Sequence, residues 1–394
     1  MSKTGQPVPT KGWPMFTMAA GPTEVSPYVL AATGQPVLHH YDPAFMKYFE
    51  DTTKKYQEIM KTKNDIVLVQ GDAVLALEAA AYGLIAPGDK CINVVSGYFG
   101  KGYEGWIDAY GGKTIEVGVG YNEAVPVEAV EKALNENPDV KVLSMVHSET
   151  PSGTLNPARD ICRLAHERGV ITIVDSVSGV GGYDVNVDDW KTDVLVTGSQ
   201  KCVGAPPGMS MLAVSDRAWD KMKKKNPPRW SEMCLLDWKE MWIDTDCAGY
   251  PCTPSVSLVY GISAAADEML AEGLDNVIAR HAQVAKAYRV GLRAMGLETW
   301  AATDDIAANA CTTFKCPEGI DTLKFRYHLR EKYGLFIAAG LRDHAKLILR
   351  IGHMGYTARP IMVPAVLGMI GKTFEDFGKK YDTAAGIAAA LELL

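Results

Sequence analysis

The sequence has no cysteine pair in C-x-x-C spacing, no apolar run approaching the length of a bilayer span, and no basic stripe. The first absence bears on metal and redox chemistry. Of its eight cysteines, Cys247/Cys252 and Cys311/Cys316 each leave four residues between them, with no histidines in zinc-site spacing, so reduced thiols are expected and no metal. The second excludes a membrane-spanning helix. The third, with a net charge of −7 and Lys and Arg scattered along the chain, argues against nucleic acid as a partner. Residues Met1–Pro14 lack both the apolar core of a signal peptide and the arginines of a transit peptide, which points to the cytoplasm. No solenoid-length repeat is present. No G-x-G-x-x-G follows the first strand, and Gly97, Gly100 and Gly102 do not have that spacing, so a nicotinamide dehydrogenase is disfavoured.

At 394 residues the chain exceeds one compact core, and two domains are expected. Strand and helix patterns alternate through the centre: Ile66–Gln70, a helix from Ala73 through Leu84, Lys90–Val95, Lys113–Val117, Val127–Asn135, Val140–Val146, Ala158–Arg168, Val170–Val174. This rhythm predicts an α/β fold, a mostly parallel sheet with helices on both faces. Residues 226–255 read as irregular. A long helical run from about Val256 to Met295, with Gly273 as a break, leads to short strands and three helices, a smaller α+β C-terminal domain. The expected division is an N-terminal arm over 1–20, a large domain over 21–258, and a small domain over 259–394 that includes the long linking helix.

The stretch from Val170 to Leu212 organises the rest. One apolar strand ends in Asp175-Ser176-Val177 and the next, Val194–Val196, in Thr197-Gly198-Ser199-Gln200-Lys201. Ligands of open α/β sheets bind where strands run out. A lysine ending a buried strand is partly desolvated, which lowers its pKa and suits Schiff-base chemistry. A carboxylate beside it matches the partner that the ring nitrogen of pyridoxal phosphate requires. Ala73 and Val74 at a helix start, with the Gln200 amide, offer donors to a phosphate.

With these residues in place the chain resembles the class V (alanine–glyoxylate type) aminotransferases, pyridoxal-phosphate enzymes of fold type I, over nearly its whole length. The resemblance rests on Ala20-Gly21-Pro22, Ser96-Gly97-Tyr98-Phe99-Gly100, Ser148-Glu149-Thr150-Pro151-Ser152-Gly153, Val174-Asp175-Ser176-Val177-Ser178, Gly198-Ser199-Gln200-Lys201, Tyr250…Thr253-Pro254 and Leu349-Arg350-Ile351-Gly352. It implies that Lys201 is the Schiff-base lysine and proton carrier and that Asp175 pairs with the ring nitrogen. Phe99 and Val177 would cover the two ring faces, and Thr150 would lie near the ring hydroxyl. Ala73, Val74 and Gln200 would hold the phosphate, joined by Tyr250 and Thr253 from a neighbouring subunit. Arg350 would take the substrate carboxylate in a bidentate contact. A homodimer or dimer of dimers with shared sites follows.

Tyr41-Asp42-Pro43-Ala44-Phe45 and Arg350-Ile351-Gly352-His353-Met354-Gly355 resemble most the branch that works on pyridoxamine and pyruvate. That branch has tyrosine where this chain has His39, glutamate where it has Asp72, and arginine where it has Leu341, with Arg342 one place on. Gly21, His39, Asp72 and Arg342 are therefore expected, with Arg350, to contact substrate, and the donor to differ from pyridoxamine or to bind differently. The implied reaction is ping-pong transfer from an amine or amino acid to a small 2-oxo acid, pyruvate or glyoxylate. The alternatives are pyridoxamine–pyruvate transfer itself, or a lyase or desulfurase on the same fold. A desulfurase needs a cysteine on a mobile loop, and Cys311 and Cys316 read as strand residues. His353 reads as structural. A relative without activity is disfavoured by the presence of both Lys201 and Asp175.

Overall fold

The structure is a computed structural model and describes residues 16–394; the first fifteen residues of the expected arm lie outside them. In chain order the strands are β1 (Phe16–Met18), β2 (Asp65–Gln70), β3 (Lys90–Val95), β4 (Lys113–Gly118), β5 (Val142–Val146), β6 (Ser148–Glu149), β7 (Thr154–Leu155), β8 (Ile171–Asp175), β9 (Val194–Gly198), β10 (Met209–Val214), β11 (Cys311–Lys315), β12 (Leu335–Ala339) and β13 (Ile348–Gly352).

Seven of these form one sheet in the order β2-β10-β9-β8-β5-β3-β4. The pairs from β9 through β8, β5 and β3 to β4 are parallel. Strands buried on both faces have no need to alternate, and every residue of β5, β8, β9 and β10 is buried. β10 is antiparallel to β9 and to β2. Two reversals restore direction, so the carboxyl end of β2 shares an edge with those of β8 and β9. The helix Ala73–Leu84 leaves that end and lies over β9 and β10. Its buried face is largely alanine (Ala73, Ala76, Ala79, Ala80, Ala81), which combines high helix propensity with close approach to the sheet.

The smaller sheet has the order β1-β12-β13-β11. β1, read from the sequence as part of an arm, pairs in parallel with β12, and Met18 is buried in the smaller core. Three residues are too few to show a period. The run from Val256 to Met295 is two helices, Val256–Glu272 and Leu274–Met295, separated at Gly273, whose φ of +86° favours glycine. Val259, Ile262, Met269 and Val277 belong to the larger core, Val284, Tyr288 and Leu292 to the smaller. The second helix therefore passes from one core to the other.

Two readings need correction. Residues 226–255 are not wholly irregular: Leu235–Trp238 is a helical turn that continues as a π-helical turn, Lys239–Ile243, held by stacking of Trp242 on Tyr250. Gly100-Lys101-Gly102-Tyr103-Glu104-Gly105 does have G-x-G-x-x-G spacing. It lies within the short helices Tyr98–Gly102 and Glu104–Ala109, not in a strand-to-helix turn, so its glycines form no phosphate loop. All eight cysteines are free thiols. Among the described residues no helix is long and apolar enough to cross a membrane.

Candidate active site

Asp175 is the last residue of β8, and the chain turns at once so that the Val177 N–H donates to Asp175 Oδ1 at 3.0 Å. Burial pushes the Asp175 pKa up to about 6, against the pull of the Val177 N–H and the Lys201 ammonium. A buried carboxylate with one amide partner retains acceptor capacity for a proton-bearing ring nitrogen.

Lys201 follows β9 across the same edge. Its Nζ donates to the carbonyl of Ala20, and burial, then the nearby Arg350 guanidinium, lowers its pKa. Gly21 has a φ of +88°, and a Cβ there would lie 2.5 Å from Lys201 Cδ and 2.7 Å from Nζ. Gly21 thus makes room for the Lys201 amine, a use of the Ala20-Gly21-Pro22 turn beyond the expected substrate contact.

Asp175, Lys201 and Gly21 share a cavity of about 240 Å³ with Val177, Phe99, Thr150, Asp72, Ala73, Val74 and Gln200. Val177 and Phe99 supply apolar surface, Phe99 being 38% exposed at the mouth. The Thr150 hydroxyl pairs with that of Ser178 at 2.6 Å. Ser178 and the cavity-lining Ser148 were not singled out from the sequence.

At the far end, the start of the helix Ala73–Leu84 presents its first N–H groups as expected, but Asp72 has already engaged that of Val74. Asp72 is the N-cap: its Oδ1 accepts from the Val74 N–H at 3.0 Å, and its Oδ2 accepts from Gln200 Nε2 at 2.6 Å. Two of the donors expected to hold a phosphate thus hold a carboxylate. The opposite Gln200 atom, Oε1, is buried without a partner.

Arg350, in the middle of β13, reaches the same region from the smaller sheet. It is 7% exposed; Nε donates to the Ala339 carbonyl at 2.6 Å and Nη1 to the Thr150 carbonyl at 3.2 Å. Nη2 has no protein partner among the described residues. Burial lowers its pKa.

The other expected residues are not brought into this cavity within the chain. Arg342 lines a neighbouring cleft of about 330 Å³, its guanidinium 5.7 Å from the centre of the Tyr98 ring. His39 is exposed and stacked on His40. Tyr250 packs against Trp242 and Phe49 with its hydroxyl buried and unpartnered, and Thr253 is exposed. His353 is fully buried, its Nε2 paired with Thr312 Oγ1 at 2.8 Å, and burial lowers its pKa to about 3. Cys311 is buried in β11, not on a loop.

A family model described as aminotransferase class-V matches residues 22–362. The chain is a class V aminotransferase. It is 43% identical over 383 residues to the pyridoxamine–pyruvate transaminase of Mesorhizobium japonicum, covering 97% of each. The crystal structure of pyridoxamine–pyruvate aminotransferase from Mesorhizobium loti superposes with a TM-score of 0.94 at 41% identity, covering 98% of both chains. That of ureidoglycine–glyoxylate aminotransferase from Bacillus subtilis superposes at 0.92 with 27% identity, covering 99% of both. The aminotransferase is accordingly a pyridoxal-phosphate enzyme of fold type I. Asp175 and Lys201 offer the polar groups, and Val177 and Phe99 the apolar surface, that the ring of that cofactor would need, and the start of the helix Ala73–Leu84 lies in the same cavity.

Proposed function

We propose that this aminotransferase moves an amino group from an amine or amino acid to a small 2-oxo acid, pyruvate or glyoxylate. The observation that carries the acceptor is Arg350. Its guanidinium is buried, oriented by the backbone carbonyls of Ala339 and Thr150, near enough to Lys201 to lower its pKa, and keeps Nη2 without a protein partner among the described residues. Such a fork suits a carboxylate, and a cavity of about 240 Å³ suits a small one once the ring is seated.

When bound, the cofactor supplies a reactive carbonyl carbon and a ring that accepts the electron pair left on the substrate's α-carbon. Asp175 holds the proton on the ring nitrogen, and its buried setting keeps that pairing strong. Lys201 Nζ, neutral more readily than a solvated lysine, takes the proton from the donor's α-carbon and returns it on the ring side. Val177 and Phe99 keep water from the ring faces. We further propose that Tyr250 and Thr253 of the partner subunit complete the site in a homodimer or dimer of dimers; the buried, unpartnered Tyr250 hydroxyl supports this. Eight free thiols support a reducing, cytoplasmic setting.

The test is kinetic. Lys201→Ala should fold and lose turnover, with borohydride no longer fixing the ring to the protein; steady turnover in that variant would overturn the reading. Arg350→Lys should raise the acceptor KM about tenfold or more with a smaller effect on the donor, because lysine cannot form the planar fork.

A second reading is favoured by Asp72. Its carboxylate occupies donors at the phosphate end, which suits a ring carrying a neutral hydroxymethyl group. Pyridoxamine itself would then be the amino donor, leaving as pyridoxal, as the name of the Mesorhizobium relative states for that protein. Protein given pyridoxamine as the sole donor, with pyruvate, should form pyridoxal and alanine continuously. Absence of turnover with that pair, while amino acid donors are used, would exclude it.

A further inference from the structure

Glu149 is fully buried in β6, one residue before Thr150. Its Oε1 accepts the Phe99 N–H and its Oε2 the Gly100 N–H, each at 3.0 Å. These amides belong to the first turn of the helix Tyr98–Gly102, where N–H groups have no helical acceptor. The neighbouring glycine makes the space: a Cβ on Gly97 would lie 2.0 Å from Glu149 Cγ and 2.4 Å from Cδ. On its other side the chain runs into Thr150, whose carbonyl accepts from Arg350 Nη1 and whose hydroxyl pairs with Ser178.

Among the described residues no cation is in contact with this carboxylate. Burial pushes its pKa up to about 7, opposed by the two amides and, more weakly, by Arg350, while Asp175 adds to the upward push. A buried carboxylate with so little compensation costs stability. An amide or apolar residue would fill the space more cheaply, unless the pair of acceptors is needed where it is.

We propose that Glu149 is a positioning residue: it fixes the backbone of Phe99, so that the aromatic ring stands across the cavity, and through Thr150 it couples that placement to Arg350. Removing its second acceptor frees the Phe99 turn and shifts the carbonyl that orients the guanidinium.

The experiment uses the full chain and two probes, pyridoxal phosphate and pyridoxal, with binding read by fluorescence and by the induced circular dichroism of the bound chromophore. Glu149→Gln places an amide NH₂ against one backbone N–H. The affinity of the better-binding probe should fall about tenfold or more, the dichroic amplitude at saturation should drop, and the acceptor KM should rise. In a Phe99→Leu background the same substitution should cost little further affinity, since the side chain it positions is gone. A lower melting temperature with unchanged affinity and dichroism would overturn the proposal, as would full additivity with Phe99→Leu. If Glu149→Gln does not fold, Glu149→Asp carries the test with the same outcomes, because it keeps the charge and shortens the reach by one methylene.

Discussion

Asp175 is held in a setting that opposes its charge, and that has a measurable sign. Its folded pKa is raised to about 6, from an ordinary value of 3.8. A raised folded pKa gives a contribution to stability that is fully present below the unfolded pKa and is lost as pH rises through the folded one. Ligand-free Asp175→Asn, which cannot ionise, should therefore gain on the wild type by on the order of 2 kcal/mol between pH 3 and pH 8, read from paired denaturation curves. Activity should move the opposite way and fall sharply. Asp175 and Lys201 were legible in the sequence because each ends an apolar strand in a polar turn. Glu149 was not: it stands in a recognisable motif, but its partners are backbone N–H groups 50 and 49 residues away in the chain. Nor was the use of Gly21, whose meaning appears only when the lysine is placed against it.

The helix Ala73–Leu84 shows how one element serves two demands. Its N-cap stabilises the helix, and the same carboxylate sets the charge at the cavity's far end. Substitutions separate the two. Asp72→Ala should lose about 1 kcal/mol of stability with the cap, measured by chemical denaturation. Asp72→Asn should keep the cap and remove the charge, so the affinity for pyridoxal phosphate relative to pyridoxal should rise about tenfold or more, measured by titration. No change in that ratio would mean that the carboxylate does not face the 5′ substituent. At this scale the parallel strands and their helices were legible because buried apolar runs and helical spacing are long enough to count. β1 and the turns from Leu235 to Ile243 were not, since three to five residues show no period.

Across the whole molecule the sheet class and the edge that carries the chemistry followed from the βα rhythm. The way the smaller sheet lends Arg350 to that edge did not, because no local pattern records the contact of its guanidinium with Thr150, 200 residues earlier. The proposed exchange of Tyr250 and Thr253 between subunits is a statement about the assembly, and mixing variants tests it. Lys201→Ala and Tyr250→Ala should each be weak or inactive as pure preparations. Unfolded together and refolded, they should recover activity above either alone, because mixed dimers contain one site with both native residues. Absence of recovery, with mixed dimers demonstrated by mass, would place Tyr250 outside a shared site.

Between Phe16 and Thr23 the chain crosses the whole active region. β1 is hydrogen-bonded to β12, the Ala20 carbonyl receives the lysine, and the Thr23 N–H donates to the Gln200 carbonyl while its hydroxyl reaches the Met354 carbonyl. This short span is a tether with four knots, tied to a sheet, the Lys201 amine, the turn that carries it and the loop after β13. Loss of the first knot, β1, would free the span that leads to the Ala20 carbonyl, so a change in the smaller sheet is read out at the lysine.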